Sequence, residues 1–374
     1  MKVAIINTLP VPSGHASVNR LLSYSKGLVE LGDIVEIFSS ANAEVADGEI
    51  YGIRYKNFGE IGKLSLLQSL YRILNAIRRG RFDIVIVVSN SLMLIYPLWI
   101  VCRMYGIKII QEKSEYPFVL MKTDFISKLW AKLYISTTYR LFDGLIVMTK
   151  PLMSYFATKV RKSCKLIEVP MTVDLDRFSI TKSHANPYGN YIAYCGDMTG
   201  NKDGVMNLID AFHIAAHNIP SVSLLLIGGA ATQNEFETIK KYAANKGHGR
   251  IIFYGKASRD EIPSLLINAK ALALARPSSL QSAGGFPTKL GEYLATANPV
   301  VVTAVGDIPL YLNHNNSYIV EPDDNNLFAT QIVKIFSDYK VASEVGKNGR
   351  NIANVNFNYK VQSHRIHEYL EQLL

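Results

Sequence analysis

Short apolar runs alternate with amphipathic stretches along most of this chain. Residues 3–6 are continuously apolar, and a Pro-Ser-Gly turn separates them from apolar positions at helical spacing over 17–31. Gly32 closes that stretch, and 34–38, apolar except for Glu36, reads as the next strand. The alternation continues with a helical pattern at 64–79, strands at 83–88 and 107–111, a helix at 127–142 and a strand at 144–149. Runs apolar on both faces are the signature of strands covered on both sides of a parallel sheet. Strands alternating with helices predict a doubly wound α/β domain.

The pattern restarts beyond Pro170. Strands are expected at 191–194, 223–227, 251–254 and 271–275, with helices at 204–217, 234–245 and 259–268 between them. The same architecture therefore occurs twice, without a detectable sequence repeat. The organisation this gives is an N-terminal domain over 1–170, a second over 171–350, and a closing helix within 351–374. Residues 170–178 read as the linker, with a loose loop at 183–190 beyond it. One stretch, 91–102, is apolar enough to raise the question of a membrane span. Pro97 interrupts it, Arg103 ends it, and it falls well short of the ~20 residues a span requires. It reads as a buried helix of the first domain.

Composition narrows the classes. At 374 residues the chain can hold about two domains, each with its own core. Cys102, Cys164 and Cys195 are scattered and odd in number, which fits neither a disulfide framework nor metal-ligand spacing and points to a reducing cytosol. The chain opens directly on a strand, with no signal-peptide pattern. The net charge of +9 is uneven. Up to residue 175 there are 22 Lys and Arg against 14 Asp and Glu; beyond it there are 18 against 17. The excess therefore lies in the first half, where Arg78, Arg79 and Arg81, the group Lys128, Lys132 and Arg140 with Trp130, Leu133, Tyr134 and Tyr139, and residues 161–165 concentrate it. Basic residues mixed with interfacial aromatics suit a membrane surface. A solvated helix face over a core stripe explains them equally well, and no nucleic-acid motif accompanies the charge.

The densest chemistry lies in Gly284-Gly-Phe-Pro-Thr-Lys-Leu-Gly-Glu-Tyr-Leu-Ala, followed by an apolar strand at 299–303. A glycine turn runs into a helix that Pro287 is expected to begin, as its first residue. First-turn amides have no partner inside a helix, so Gly284, Gly285, Phe286, Thr288 and Leu290 outline a candidate anion site. Lys289 adds a cation, which is unfavourable at a helix N-terminus unless an anion binds there. Glu292, a turn further on, can accept hydrogen bonds from a ribose diol. Phosphate at the turn and hydroxyls along the helix describe a nucleotide.

This segment resembles the C-terminal signature of glycosyltransferase family 4, whose usual form is Glu-Gly-Phe-Gly-x-Pro-x-x-Glu-Ala-x-Ala-x-Gly-x-Pro-Val. Gly285-Phe286, Glu292, Ala295 and Pro299-Val300 match; Gly284 stands where the family has its first glutamate. The Phe-Pro-Thr-Lys-Leu-x-Glu-Tyr-Leu-Ala form looks like a subgroup of bacterial surface-polysaccharide enzymes. Pro12-Ser-Gly14, the run 170–178, Tyr194-Cys-Gly-Asp-Met-Thr-Gly-Asn-Lys-Asp-Gly204, Leu224-Leu-Leu-Ile-Gly-Gly229 and Phe253-Tyr-Gly255 extend the likeness over nearly the whole chain.

The resemblance implies a GT-B fold, two Rossmann-like domains facing across a cleft, with the last helix crossing back to the first domain. It implies retaining transfer of a sugar from a nucleoside-diphosphate-sugar donor to a glycan or lipid-linked acceptor, at the inner face of the cytoplasmic membrane. Lys202 matches a diphosphate-binding lysine that follows Gly196, whereas Asp197 stands where the family has an arginine. Lys289 is then placed to compensate. Gly14 in the first strand-to-helix loop allows close approach of a phosphate or sugar, and Arg20 in the next helix is a candidate cleft residue. Glu115 lies where many members carry a sugar-contacting histidine, and can orient a hydroxyl or serve the acceptor. His213 and His217 share a helix face but lack a third zinc ligand. Asp174-Leu-Asp176 lies in the linker and not at a donor loop, so no essential divalent metal is expected, with Lys202, Lys289 and backbone amides in its place.

Two rivals remain at this stage: a nucleotide-sugar epimerase or hydrolase of the same fold, and an inactive member that only binds. A nicotinamide dehydrogenase is disfavoured because Gly-x-Gly-x-x-Gly is missing after the first strand.

Overall fold

The structure, a computed structural model, describes residues 1–42, 46–59, 65–120, 125–179, 186–246 and 250–374. The helix start expected at Leu64, part of the 183–190 loop, and the side chain of Trp130 lie outside the described residues. The chain divides into one unit of Met1–Thr172 with Tyr359–Leu374 and a second of Val173–Asn358.

Among the described residues the first unit has eight strands: β1 (Lys2–Asn7), β2 (Ile34–Asn42), β3 (Gly48–Ile50), β4 (Ile53–Gly59), β5 (Ile84–Val88), β6 (Lys108–Lys113), β7 (Gly144–Val147) and β8 (Lys165–Glu168). Their order is β3-β4-β2-β1-β5-β6-β7-β8, parallel except for the β3–β4 hairpin at the edge. The chain winds outward from β1 in one direction and then from β5 in the other, so the switch point lies between those two strands. Val3, Ile5, Ile84, Ile86 and Ile110 lie in a fully buried core with Leu21, Leu22 and Leu28 of the helix Ala16–Glu30. The last helix, Tyr359–Glu371, packs against that helix, and a Cβ on Gly27 would lie 2.3 Å from the Ser363 hydroxyl oxygen. Only glycine permits this approach. The last helix begins at Tyr359, after the extended Asn358 and a π-helical turn over Ala353–Phe357.

The apolar stretch around Pro97 is one unbroken helix, Leu92–Met104. Pro97 lies inside it, in the second turn, and lacks the N–H that would donate to the carbonyl of residue 93. The helix is not buried all round, since Met93, Ile100 and Met104 are exposed. Among the described residues no helix is long and apolar enough to cross a membrane.

The second unit has six parallel strands: β9 (Asn190–Asp197), β10 (Val222–Gly229), β11 (Ile251–Gly255), β12 (Ala271–Leu274), β13 (Val300–Thr303) and β14 (Tyr318–Val320). The order β11-β10-β9-β12-β13-β14 places the switch point between β9 and β12. A doubly wound sheet binds ligands beside the carboxyl ends of the strands at that point.

Candidate functional site

β9 ends at Gly196 and Asp197, and the chain turns sharply before the helix Val205–Ala215. Gly200, Asn201 and Gly204 all have positive φ, at 58°, 53° and 72°. At Gly204 nothing larger fits, because a Cβ would come within 1.7 Å of the Ala275 carbonyl oxygen at the end of β12. The turn thus draws β9 and β12 together. Asn201 fixes it from inside, its Oδ1 accepting from the Met206 amide at 3.0 Å.

The glycine segment that follows β12 is ordered by its own residues. Ser279 caps the short helix Leu280–Gly284 in a reciprocal capping box with Ser282. Gly285 is extended, and the next helix is Thr288–Ala295. Pro287 is its N-cap rather than its first residue. With ψ of 112° it stays outside the helix, while its carbonyl accepts from the Leu290 amide at 3.1 Å. Phe286 points inward and packs on Tyr311 and Phe357 at ring distances of 5.7 and 5.5 Å. The Leu290 side chain is fully buried. These two side chains are therefore core, and the Leu290 amide that the first-turn reading offered to an anion is already bonded to the Pro287 carbonyl. Thr288 is partly exposed, and Gly284 and Gly285 are buried backbone at the turn.

Tyr293 anchors the helix to β9, since its hydroxyl accepts from the Cys195 amide at 2.7 Å. One turn back, Lys289 crosses the end of the same strand. A Cβ on Gly196 would lie 2.0 Å from the Lys289 Nζ, so the missing side chain of Gly196 is the space this lysine occupies. The ammonium lies 4.6 Å from the centre of the Tyr194 ring and 3.0 Å from its hydroxyl. Its charge partner is Asp203, whose Oδ2 accepts directly from Nζ. The other oxygen of Asp203 lies 3.3 Å from Nε of Arg276, which is only 2% exposed and follows β12. Burial pushes the Asp203 carboxyl upward, but Lys289 and Arg276 outweigh that and hold it below the ordinary carboxylate range. Lys202, beside it in the turn, is exposed to solvent.

The switch point thus gathers three cations, Lys202, Arg276 and Lys289, around a single internal carboxylate. Asp203 and Arg276 were not singled out from the sequence, although both left a signal. Asp203 is a charge set inside a glycine turn, and Arg276 is a charge that ends an apolar strand. Asp197 is occupied locally, its Oδ1 accepting from the Thr199 amide and hydroxyl at 2.9 and 2.6 Å. Glu292 is part-exposed and pairs with Arg177 at 3.1 Å. Arg177 is itself held by the Arg259 carbonyl at 2.6 Å.

Gly14, Arg20 and Glu115 belong to the first unit. A Cβ on Gly14 would meet nothing within 4 Å, so no packing of the protein demands glycine there. Glu115 is half-buried in the turn after β6. Arg20 is a correction. It is 3% exposed, its Nε donates to Glu112 at 2.7 Å, and its guanidinium also donates to the carbonyls of Val169 and Pro170. Tyr24 donates to the second Glu112 oxygen at 2.9 Å. Arg20 is bound into the core of the unit and has no reach toward a ligand.

Next to Glu112, Lys113 is buried at the end of β6, donating to Asn90 Oδ1 and to the Tyr134 hydroxyl. Burial pulls its pKa down to about 7. Burial lifts all three cysteine thiols to about 12, so none offers a thiolate near neutral pH. Among the described residues no cluster of three His, Cys, Asp or Glu side chains gathers; His213 and His217 stack edge to face at 6.1 Å.

Residues 189–338 match the family model described as "Glycosyl transferases group 1". A GDP-mannose-dependent alpha-(1-6)-phosphatidylinositol monomannoside mannosyltransferase of Mycolicibacterium smegmatis is 24% identical over 241 residues, 61% of this chain. That match spans 62% of the relative's own length. Among solved structures, sucrose-phosphate synthase from Thermosynechococcus elongatus superposes with a TM-score of 0.79 at 18% identity, over 100% of this chain and 98% of that one. Anabaena HepE in complex with UDP-glucose superposes at 0.76 and 16% identity over the full length of both. These superpositions show that the fold is GT-B.

Proposed function

We propose that the protein transfers a sugar from a nucleoside-diphosphate-sugar donor to an acceptor hydroxyl, with the diphosphate held at the β9–β12 switch point. The observation that carries this reading is the placement of Lys289. A lysine laid over a glycine at a strand end, beside a buried Asp203–Arg276 pair, is a preassembled anion site with a stand-in anion already inside it. The incoming diphosphate takes the place of the Asp203 carboxylate against the Lys289 ammonium, and Lys202 and the first-turn amides of the Thr288–Ala295 helix add to its hold. Glu292 then receives the ribose hydroxyls, exchanging its bond with Arg177 for them.

In the reaction the acceptor oxygen bonds to the anomeric carbon as the bond from that carbon to the diphosphate oxygen breaks. The electron pair goes to the leaving phosphate, whose growing charge the cations already face. The acceptor proton passes to a phosphate oxygen of the same leaving group. This front-side course gives retention and demands no strong side-chain base. Glu115 in the first unit orients a sugar or acceptor hydroxyl, and Gly14 lets the donor approach the backbone. The positive side chains do the work of a divalent ion, so no essential metal is required. A surface glycan or a lipid-linked glycan is the acceptor class that the sequence resemblance favours, and the basic first unit suits work at the inner face of a membrane.

The test is turnover. The protein is incubated with a panel that includes UDP-glucose and GDP-mannose, the donors that appear in the names of its relatives, and nucleoside diphosphate release is followed with and without glycan acceptors. Transfer with an α-linked product from an α-linked donor supports the reading. Release without any acceptor dependence favours a hydrolase, and nucleotide binding with no turnover favours a binding protein.

A further inference from the structure

Lys113 carries a cost that its own bonds do not explain. It lies at the carboxyl end of β6 and is 5% exposed. Among the described residues it has no carboxylate partner. Its ammonium donates to the Tyr134 hydroxyl and to Asn90 Oδ1, and lies 4.9 and 5.5 Å from the centres of the Tyr134 and Tyr139 rings. Burying a cation without a counter-charge is unfavourable, and the ring faces offset only part of that. Neither acceptor needs the lysine. The Tyr134 hydroxyl also accepts from Gln111 Nε2 at 2.8 Å, and Asn90 is exposed, so water would satisfy its carbonyl. A methionine would fill the same space without a charge to desolvate.

What the cluster does determine is the direction of one amide. Asn90 Oδ1 accepts from Lys113 and, at 3.0 Å, from the Tyr134 hydroxyl. An ammonium can only donate, so the side of the Asn90 amide that meets the cluster must be its oxygen. The two N–H bonds of Nδ2 are then turned away from the cluster, toward solvent. Among the described residues nothing accepts from them. The place is specific. Asn7 of β1 pairs with Val88 of β5, and Asn90 follows two residues on. The amide therefore stands at the carboxyl ends of the two strands between which the winding of this sheet reverses, where such a sheet takes its ligand. Two fixed donors without an acceptor suit a ligand rich in hydroxyl oxygens. With the diphosphate assigned to the second unit, the ligand left for the first is the sugar that accepts.

We propose that Asn90 donates to a hydroxyl oxygen of the acceptor glycan, and that Lys113 and Tyr134 are positioning residues that hold its amide toward that oxygen. The identification of the ligand as the acceptor rests on the transferase reading; the contact with a sugar hydroxyl does not.

The experiment titrates the full chain calorimetrically with octyl glucoside and octyl mannoside, kept below micelle formation, and with UDP, UDP-glucose, GDP and GDP-mannose. Where transfer occurs, KM is measured for both substrates. The variants are N90A, K113M and N90A/K113M. The expected glycoside affinity is about fivefold to tenfold lower in N90A, the worth of one hydrogen bond, and about threefold lower in K113M. The double variant is no weaker than N90A, because Lys113 acts only through Asn90. Affinity for the four nucleotides stays unchanged, K113M melts no lower than the parent at mildly acidic pH, and in the transfer assay the same factors fall on acceptor KM and not on donor KM. Losses that add in the double variant would make Lys113 a structural residue and overturn its positioning role. Equal glycoside affinity in all four proteins, or no glycoside binding by the parent, overturns the contact. Weaker UDP-glucose or GDP-mannose binding in N90A, with UDP and GDP unaffected, overturns the acceptor assignment in favour of the donor sugar. Glycoside binding that weakens as expected, with no turnover of any donor, defeats the transferase reading and leaves the contact standing.

Discussion

At the scale of single residues, Asp203 is the most instructive side chain. It pairs with Lys289 and Arg276, and on the proposed reading it competes with any anion that needs them. Asp203→Asn therefore has two opposite effects. Removing one member of a buried charge cluster destabilises by about 3–5 kcal/mol, and removing the competing charge tightens anion binding by roughly tenfold. Thermal unfolding should show a lower melting temperature for the variant alone and a larger rise on adding pyrophosphate than the parent shows. An equal or smaller rise contradicts the competition. Lys113 gives a pH prediction. Its folded pKa, drawn down to about 7, lies below its unfolded value, so between those two values the unfolded chain binds more protons. Stability from this group is absent in acid and is gained as pH rises from about 7 toward 10.5. Lys113→Met should be the more stable protein below pH 7, and its urea midpoint should lose that rise with pH. A parallel pH profile for both proteins would refute the assignment.

At the scale of elements, the site depends on how the Thr288–Ala295 helix is fastened to β9. Tyr293→Phe removes the acceptor of the Cys195 amide and leaves a buried donor unmet, at a cost of about 1–3 kcal/mol. The same change loosens the helix that carries Lys289, so affinity for a nucleoside diphosphate should fall several-fold in calorimetry although Tyr293 touches no ligand. Unchanged affinity would mean that the helix is positioned by its other contacts. The buried parallel strands were legible because both faces are apolar, and the helices because their apolar positions recur at the helical period. The β3–β4 hairpin was not, since its edge position leaves Arg54 and Lys56 in the strand and breaks the apolar run. The helix around Pro97 was legible too, and it runs unbroken from Leu92 to Met104 with Pro97 in its second turn. Of the site, the glycine turns and Lys289 could be read directly, because they are local. The pairing of Asp203, Lys289 and Arg276 joins three segments far apart in the chain, and only the strand order brings them together. Arg20 failed for the same reason: its partners Glu112, Val169 and Pro170 are distant in sequence, and they turn a candidate ligand into a core group.

At the scale of the whole molecule, the two units differ in charge and in what they offer. Nearly all of the +9 excess lies in the first, and the Asp203–Lys289–Arg276 cluster proposed to receive the diphosphate lies in the second. On the proposed reading the cations there take the role of a metal ion, and sugar transfer should be unaffected by EDTA; activity lost with chelator and restored by magnesium or manganese would overturn that part of the account. The central claim is that the nucleoside diphosphate lies along the glycine turn and the helix after it. Calorimetric titration of parent, Lys289→Ala and Glu292→Ala with pyrophosphate and with the nucleoside diphosphate of the active donor tests it most directly. The account predicts that Lys289→Ala weakens both ligands, whereas Glu292→Ala weakens the nucleotide and leaves pyrophosphate nearly alone. Identical affinities in all three proteins would contradict it.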